Sequence, residues 1–173
     1  MRFRDEKILI REACEFDFQK IVDINDAEVR HTSPMNIGQL HDLNRLSDYH
    51  KVAEIAGNIT AFLLAMRENC SYRSDNYQWF SARYANFLYI DRIVVDAKFS
   101  GLKIGTMLYQ NIFEYARSNR ISLLTCEYNT IPPNEPSRQF HEKFGFKEVG
   151  EQWLAARTKK VSMQAAEIEH YDD

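Results

Sequence analysis

Phe87 to Leu108 reads FLYIDRIVVDAKFSGLKIGTML. The run Phe87 to Val95 is nearly all apolar and of strand length, the pattern of a strand covered on both faces. Beyond it the period changes. Ile104, Leu108, Ile112, Tyr115 and Ala116 recur at helical spacing, on a helix expected to reach about Ser118. A second apolar run, Ile121 to Tyr128 (ISLLTCEY), follows. Strand, helix and strand with short links form a right-handed crossover unit, so the two strands are expected to lie parallel.

Working toward the N-terminus, Ile8 to Ala13 reads as a strand, and Phe16, Ile21 and Ile24 fall near helical spacing, followed by a polar stretch through Pro34 and Gly38. Leu40, Leu43 and Leu46 suggest a short helix. Val52 to Ile55 and Ile59 to Met66 suggest a hairpin turning at Gly57-Asn58. The stretch from Arg67 to Ala85 is polar and aromatic by turns. Tyr72, Tyr77, Trp79, Phe80 and Tyr84 either line a pocket or pack back onto the core. Toward the C-terminus, Pro132-Pro133 breaks the chain and Pro136 suits the first turn of another helix. Gly145 can cap that helix. Phe146 to Val149 and Lys160 to Ala165 read as strands, and the acidic tail from Glu167 is expected to fray.

Composition narrows the function. A chain of 173 residues, 45% hydrophobic and 13% aromatic, can build one core without metals or disulfides. Net charge is −3 and the basic residues are scattered, so the stripe that a nucleic-acid binder needs is missing. Arg157, Lys159 and Lys160 read as a solvated turn. Cys14, Cys70 and Cys126 have no metal-ligand spacing and fit a reducing compartment. No apolar stretch has signal-peptide or membrane-spanning character, so a cytoplasmic protein is expected, and the sequons at Asn58 and Asn69 carry no weight.

Ser100 to Thr106 (SGLKIGT) holds the chemistry. A turn between a buried strand and a helix aims backbone N–H groups outward, and the helix dipole adds partial positive charge. Gly101 permits unusual dihedrals, and Gly105 lets an anion approach the first helical turn. These features predict a phosphate or pyrophosphate site, although a glycine-rich turn alone meets the same spacing. No P-loop or dinucleotide fingerprint is present.

Val95 to Leu108 (VDAKFSGLKIGTML) resembles the acetyl-CoA-binding motif of the GNAT superfamily of N-acetyltransferases, V-x-P-x-x-[QR]-G-x-G-I-G-x-x-L. Asn134 to Phe146 (NEPSRQFHEKFGF) resembles that family's second signature, N-x-x-[AS]-x-x-[FL]-Y-E-K-x-G-F. The resemblance implies a mixed, twisted α/β sheet of six or seven strands flanked by helices and splayed between its two parallel strands. It implies one domain over 1–173, with 1–85 mainly the acceptor side and 86–165 mainly the coenzyme side. Acetyl-CoA is the implied co-substrate, with no metal. Its pyrophosphate would lie on the turn Ser100, Gly101, Leu102, Lys103, Ile104, Gly105 and Thr106. Its pantetheine would pair with the main chain of Ile93, Val94 and Val95 and reach Asn134, with Ser137 one helical turn beyond.

Four positions depart from the family's pattern: Ala97, Ser100, Lys103 and His141. His141 stands where the family usually has the tyrosine that protonates or hydrogen-bonds the leaving thiolate. A protonated imidazole could make that bond. It shares a helix face with Ser137. Amine attack also needs a base. Phe87, Tyr89, Asp91, Ile93 and Val95 alternate onto one strand face, which makes Asp91 one candidate; Glu127 is the second, and a water relay the third. Either carboxylate could instead be a structural partner, for instance to Arg92 or to a basic residue elsewhere. Cys126 reads as a buried core thiol.

The implied function is direct transfer of an acetyl group to an amine, carried on a small molecule or a peptide, with no nucleic acid and no membrane as partner. The alternatives are a coenzyme-binding module without activity and an interaction domain on the same scaffold. The aromatic segment Tyr72 to Tyr84 would tolerate a cationic amine, and a homodimer is left open.

Overall fold

The computed structural model describes residues 6–29 and 32–170; Arg30 and His31, in the polar stretch expected before Pro34, and residues 171–173 of the acidic tail lie outside them. The apolar run Phe87 to Val95 forms a strand, Leu88–Val95 (β4). The later run forms Leu123–Ile131 (β5). They pair in parallel, Leu88 with Leu124 and Tyr89 with Thr125, as the crossover rule requires. The helix between them, Ile104–Ser118 (α4), ends where its periodicity ends.

The other strands are Ile8–Glu12 (β1), Tyr49–Ile55 (β2), Asn58–Arg67 (β3), Lys147–Leu154 (β6) and Lys159–Glu167 (β7). All seven hydrogen-bond in the order β1-β2-β3-β4-β5-β7-β6. Four further helices accompany them: Phe18–Ala27 (α1), Ile37–Leu46 (α2), Asp75–Ser81 (α3) and Glu135–Lys143 (α5). The mixed sheet flanked by helices is the expected class, with seven strands.

The chain packs as two compact units that interleave along the sequence. One comprises 1–66 and 91–112 and the other 67–90 and 113–173. In the first, β1, β2 and β3 form an antiparallel meander. The β2–β3 turn lies at Ala56-Gly57, both at positive φ, and Ile55 pairs with Asn58. This is one residue earlier than expected, because two consecutive left-handed residues suit the right-handed twist of the flanking strands. Asn36 and Gln39 cap α2 reciprocally, each bond 2.9 Å. Phe16 does not join the apolar face of α1. It sits in a 3-10 turn, Glu15–Asp17, and is 98% exposed, while Phe18, Ile21 and Ile24 are buried.

His50 on β2 is 5% exposed, lies beside Phe18 and Phe62, and is 2.7 Å through Nδ1 from Asn44 Oδ1. Its Nε2 has no hydrogen-bond partner among the described residues. Burial lowers its pKa to about 4, only partly opposed by the charge of Asp17. The unfolded chain takes up this proton near pH 6.5 and the folded one does not until about 4. Stability is therefore full above about pH 6.5, falls as the pH drops toward 4, and then levels. His50→Gln is expected to flatten the melting temperature over that window; an unchanged slope would place the acid sensitivity elsewhere.

In the second unit β7 pairs antiparallel with β5 and β6. Helix α5 ends as expected at Gly145, whose φ is +78°. The N–H of Gly145 donates to Glu142 O at 3.1 Å and that of Phe146 to His141 O at 3.2 Å, completing a Schellman cap. Helix α3 was not legible from the periodicity. Ser74 caps it, and Tyr77 and Phe80 are buried, so these two aromatics join the core. Trp79 lies over Gly150 of β6, and Arg83 stacks on the indole 3.8 Å from its centroid. A Cβ at Gly150 would fall 2.9 Å from Trp79 Cη2 and closer still to Cζ2. Gly150→Ala is expected to destabilise by about 1–3 kcal/mol in urea titration, and Gly150→Ala with Trp79→Leu by less.

Two further expectations are corrected. Lys159 and Lys160 belong to β7 rather than to a solvated turn, and Lys160 pairs with Glu151 at 2.6 Å beside Trp153. The tail from Glu167 is held as far as His170. Ile168 donates its N–H to Ser122 O at 2.9 Å, and His170 Nε2 lies 3.0 Å from Ile121 O.

Candidate active site

The residues singled out from the sequence divide between the two units. Asp91, Ile93, Val94, Val95 and the turn Ser100 to Thr106 lie in the first. Along the end of β4, Arg92 and Val94 are buried while Asp91, Ile93 and Val95 are less so, which is the expected alternation. Asp96 closes the strand: its N–H donates to Thr60 O at 2.8 Å, and its Oδ1 accepts from the N–H of Lys98 at 3.0 Å.

Gly101 has φ +81° and Lys103 has φ +59°. Left-handed residues set among ordinary ones turn successive N–H groups inward, which makes a concave anion site. The N–H of Met107 donates to Lys103 O at 3.0 Å as the first bond of α4. Helix geometry therefore leaves the amides of Ile104, Gly105 and Thr106 without carbonyls of their own helix. Ile104 is buried and anchors the turn, whereas Ser100, Gly101 and Lys103 are exposed. Lys103 accepts a conformation that glycine adopts without cost, at about 1–2 kcal/mol. Main-chain donors of this kind fit a diphosphate whatever the side chains.

Asp91 is committed elsewhere. Arg92 Nε donates to its Oδ2 at 2.7 Å, and the two side chains are 7% and 6% exposed, arginine first. Arg92 continues to Asn25 Oδ1 at 3.0 Å and to Ser33 O at 3.2 Å. The carboxylate anchors a buried guanidinium, which is the structural alternative the sequence left open.

Glu127, Asn134, Ser137 and His141 lie in the second unit. Tyr89 donates its hydroxyl to Glu127 Oε1 at 3.1 Å, across the parallel strands. Asn134 caps α5, its Oδ1 accepting from the N–H of Ser137 at 3.3 Å. His141 is 4% exposed, so it is not a surface residue. Its ring packs against Tyr128, Phe140 and Phe146. Its Nδ1 lies 2.7 Å from Ser137 O; a carbonyl only accepts, so the proton sits on Nδ1. Burial pushes the His141 pKa below the ordinary value. A standing imidazolium, the form able to donate from Nε2, is thereby disfavoured. Cys126 is buried and its thiol is pushed well up by that burial, as a core residue's should be.

The strand pattern sets Tyr89 on the face of Asp91, but no role for it is legible there. Its place in an apolar run hid the hydroxyl, and the parallel register that brings it to Glu127 is a tertiary fact. Among the described residues no group of three or more His, Cys, Asp or Glu side chains could hold a metal ion, and no helix is long and apolar enough to cross a membrane.

No curated protein sequence matches the chain. Solved structures do. The chain superposes on Ard1 from Thermoplasma volcanium with a TM-score of 0.78 at 16% identity, covering 94% of this chain and 99% of that one. It superposes on the ribosomal-protein-S18-alanine N-acetyltransferase from Escherichia coli with a TM-score of 0.73 at 13% identity, covering 96% and 97%. YncA from Salmonella typhimurium, solved with its cofactor acetyl-CoA, gives 0.70 at 16% identity, covering 96% and 97%. At these identities the likeness shows the fold. The family model for the acetyltransferase (GNAT) family matches residues 11–146, most of the chain. The chain belongs to the GNAT family of acetyltransferases.

Proposed function

We propose that the protein is an N-acetyltransferase that moves the acetyl group of acetyl-CoA directly onto an amine. The observation that carries this reading is the turn Gly101–Lys103 at the head of α4, in a chain whose family is that of acetyltransferases. The main-chain amides from Leu102 to Thr106, with Ser100 and Gly101 shaping the turn, hold the coenzyme's pyrophosphate. The main chain of Ile93 to Val95 pairs with its pantetheine. Asn134 and Ser137 stand at the start of α5 for the same arm. The coenzyme supplies an activated thioester carbonyl.

Glu127 is the base that takes the amine's proton, directly or through water. Tyr89 orients its carboxylate at 3.1 Å. The competing carboxylate, Asp91, already balances Arg92. His141 serves by packing α5 rather than as a charged acid, because its buried ring favours the neutral form. Oriented binding of both reactants supplies much of the acceleration.

Calorimetric titration with CoA, followed by thiol release and product mass with a panel of amines, tests this. The expected result is saturable heat and amine-dependent release with an N-acetyl product. No heat and no thermal shift at millimolar CoA would remove the assignment. Binding with no release for any amine would leave a coenzyme-binding module.

A further inference from the structure

Three helices open on a side chain that accepts a hydrogen bond. Asn36, Ser74 and Asn134 take the amides of Gln39, Tyr77 and Ser137, which is how the orphan donors of a helix start are ordinarily satisfied. Helix α4 opens instead on Lys103, whose carbonyl takes the first helical bond, from the N–H of Met107 at 3.0 Å. An ammonium carries donors and no acceptor, so it cannot cap those amides. It also brings positive charge to the positive end of the helix dipole, and the first turn, Ile104 to Thr106, holds no acidic residue to offset it. The backbone at Lys103 is left-handed, φ +59°, a region that lysine adopts less readily than glycine or asparagine. Each of these three features weighs against the free protein.

Nothing in the surrounding chain relieves them. Lys103 is exposed, and its ammonium has no ion-pair or hydrogen-bond partner among the described residues. Asp96, the one carboxylate in the connection between β4 and α4, is engaged. Its Oδ1 accepts from the N–H of Lys98 at 3.0 Å, and its Oδ2 lies 3.6 Å from Lys20 Nζ. An anionic diphosphate on this turn reverses the balance. It accepts from the free amides, and both the dipole and the ammonium attract it. The motif pattern quoted for this stretch points the same way. Where it has Gln or Arg the chain has Ser100, and where it has glycine the chain has Lys103. A long donor side chain is missing at one position of the turn and present three positions on.

We propose that the Lys103 ammonium binds the pyrophosphate of CoA, so that part of the coenzyme affinity is ionic and borne by a side chain, while the same residue destabilises the free protein. This rests on the acetyltransferase reading above and adds to its main-chain donors a contact that the motif pattern does not contain.

The test is calorimetric titration of the full chain with CoA. Lys103→Met keeps the aliphatic stem and removes the charge, and its Kd is expected to rise about five- to thirty-fold at about 50 mM salt. The gap from the parent is expected to shrink at about 500 mM salt, where an exposed ionic contact is screened. Lys103→Arg keeps the charge and is expected to recover most of the affinity. Lys103→Asn supplies a capping oxygen and tolerates a left-handed backbone. It is expected to melt higher than the parent without ligand and yet to bind CoA more weakly, opposite signs that a merely solvated lysine does not produce. Dephospho-CoA, which retains the pyrophosphate and lacks the 3′-phosphate, is expected to show the same loss in Lys103→Met. Thermal midpoints without ligand report the folding of each variant. An unchanged Kd in Lys103→Met overturns the proposal. So does a loss that persists in full at high salt, or one that disappears with dephospho-CoA. A Lys103→Asn chain that binds CoA as tightly as the parent overturns it too. A parent that gives no heat with CoA removes the acetyltransferase reading itself, whereas a parent and a Lys103→Met chain that bind CoA equally remove the role of Lys103 alone.

Discussion

Glu127→Gln is expected to lower kcat/KM for amine acetylation by about 10²–10⁴-fold, the usual worth of a positioned base, with CoA affinity nearly intact. Glutamine keeps the size of the side chain and can still accept the hydroxyl bond that Tyr89 makes at 3.1 Å. What it loses is the capacity to take a proton. The comparison that gives this force is Asp91→Asn. That change weakens a pair in which Arg92 Nε donates at 2.7 Å, so its principal effect is expected on stability rather than on turnover. Tyr89→Phe separates position from proton transfer, because it leaves the carboxylate while removing its orienting donor. Its expected signature is a shifted pH profile with a smaller loss than Glu127→Gln. Equal activity of parent and Glu127→Gln would return the role to Asp91 or to water.

Arg92→Ala is expected to cost about 3–5 kcal/mol of folding free energy, read by urea titration, because it breaks a buried ion pair from one side. The guanidinium holds four groups: Asp91 at 2.7 Å, Asn25 Oδ1 at 3.0 Å, Ser33 O at 3.2 Å and Ser33 Oγ at 3.2 Å. Asn25 is fully buried and spends its own Nδ2 on Ser33 O at 3.0 Å. Without the arginine, Asp91 keeps a charge that is 6% exposed. Arg92→Lys is expected to fall between parent and Ala, since an ammonium retains the charge but not the fork that spans several acceptors. Arg92→Ala with Asp91→Ala should then lose less than Arg92→Ala alone, the sign of a pair rather than of two independent contacts. A loss below about 1 kcal/mol in Arg92→Ala would show that water reaches the pair.

Much of the architecture was legible because its signals are local. The apolar run of β4, the period change at Ile104 and the cap at Gly145 each depend on residues within a few positions of one another. Helix α3 was not legible, because Asp75–Ser81 is too short to show a period and its two buried aromatics, Tyr77 and Phe80, are placed by the core they join. Phe16 misled for the opposite reason. Its spacing matched the helix, but a 3-10 turn ahead of α1 rotates it into solvent.

The sequence by itself determined the fold class, the parallel strand pair and the glycine-bearing turn ahead of α4, since hydrophobic period, glycine placement and crossover handedness act at short range. Tertiary structure decided which carboxylate is locked in an arginine network and which meets a tyrosine hydroxyl. Asp91 and Glu127 are both acidic residues in apolar strands, and although Arg92 adjoins Asp91 in sequence, adjacency alone does not make the pair. A neighbouring strand brings Tyr89 to one, and Asn25 and Ser33, remote along the chain, complete the network around the arginine that occupies the other. The lowered pKa of His141 has the same origin, because desolvation depends on what closes over a ring and not on its neighbours in sequence.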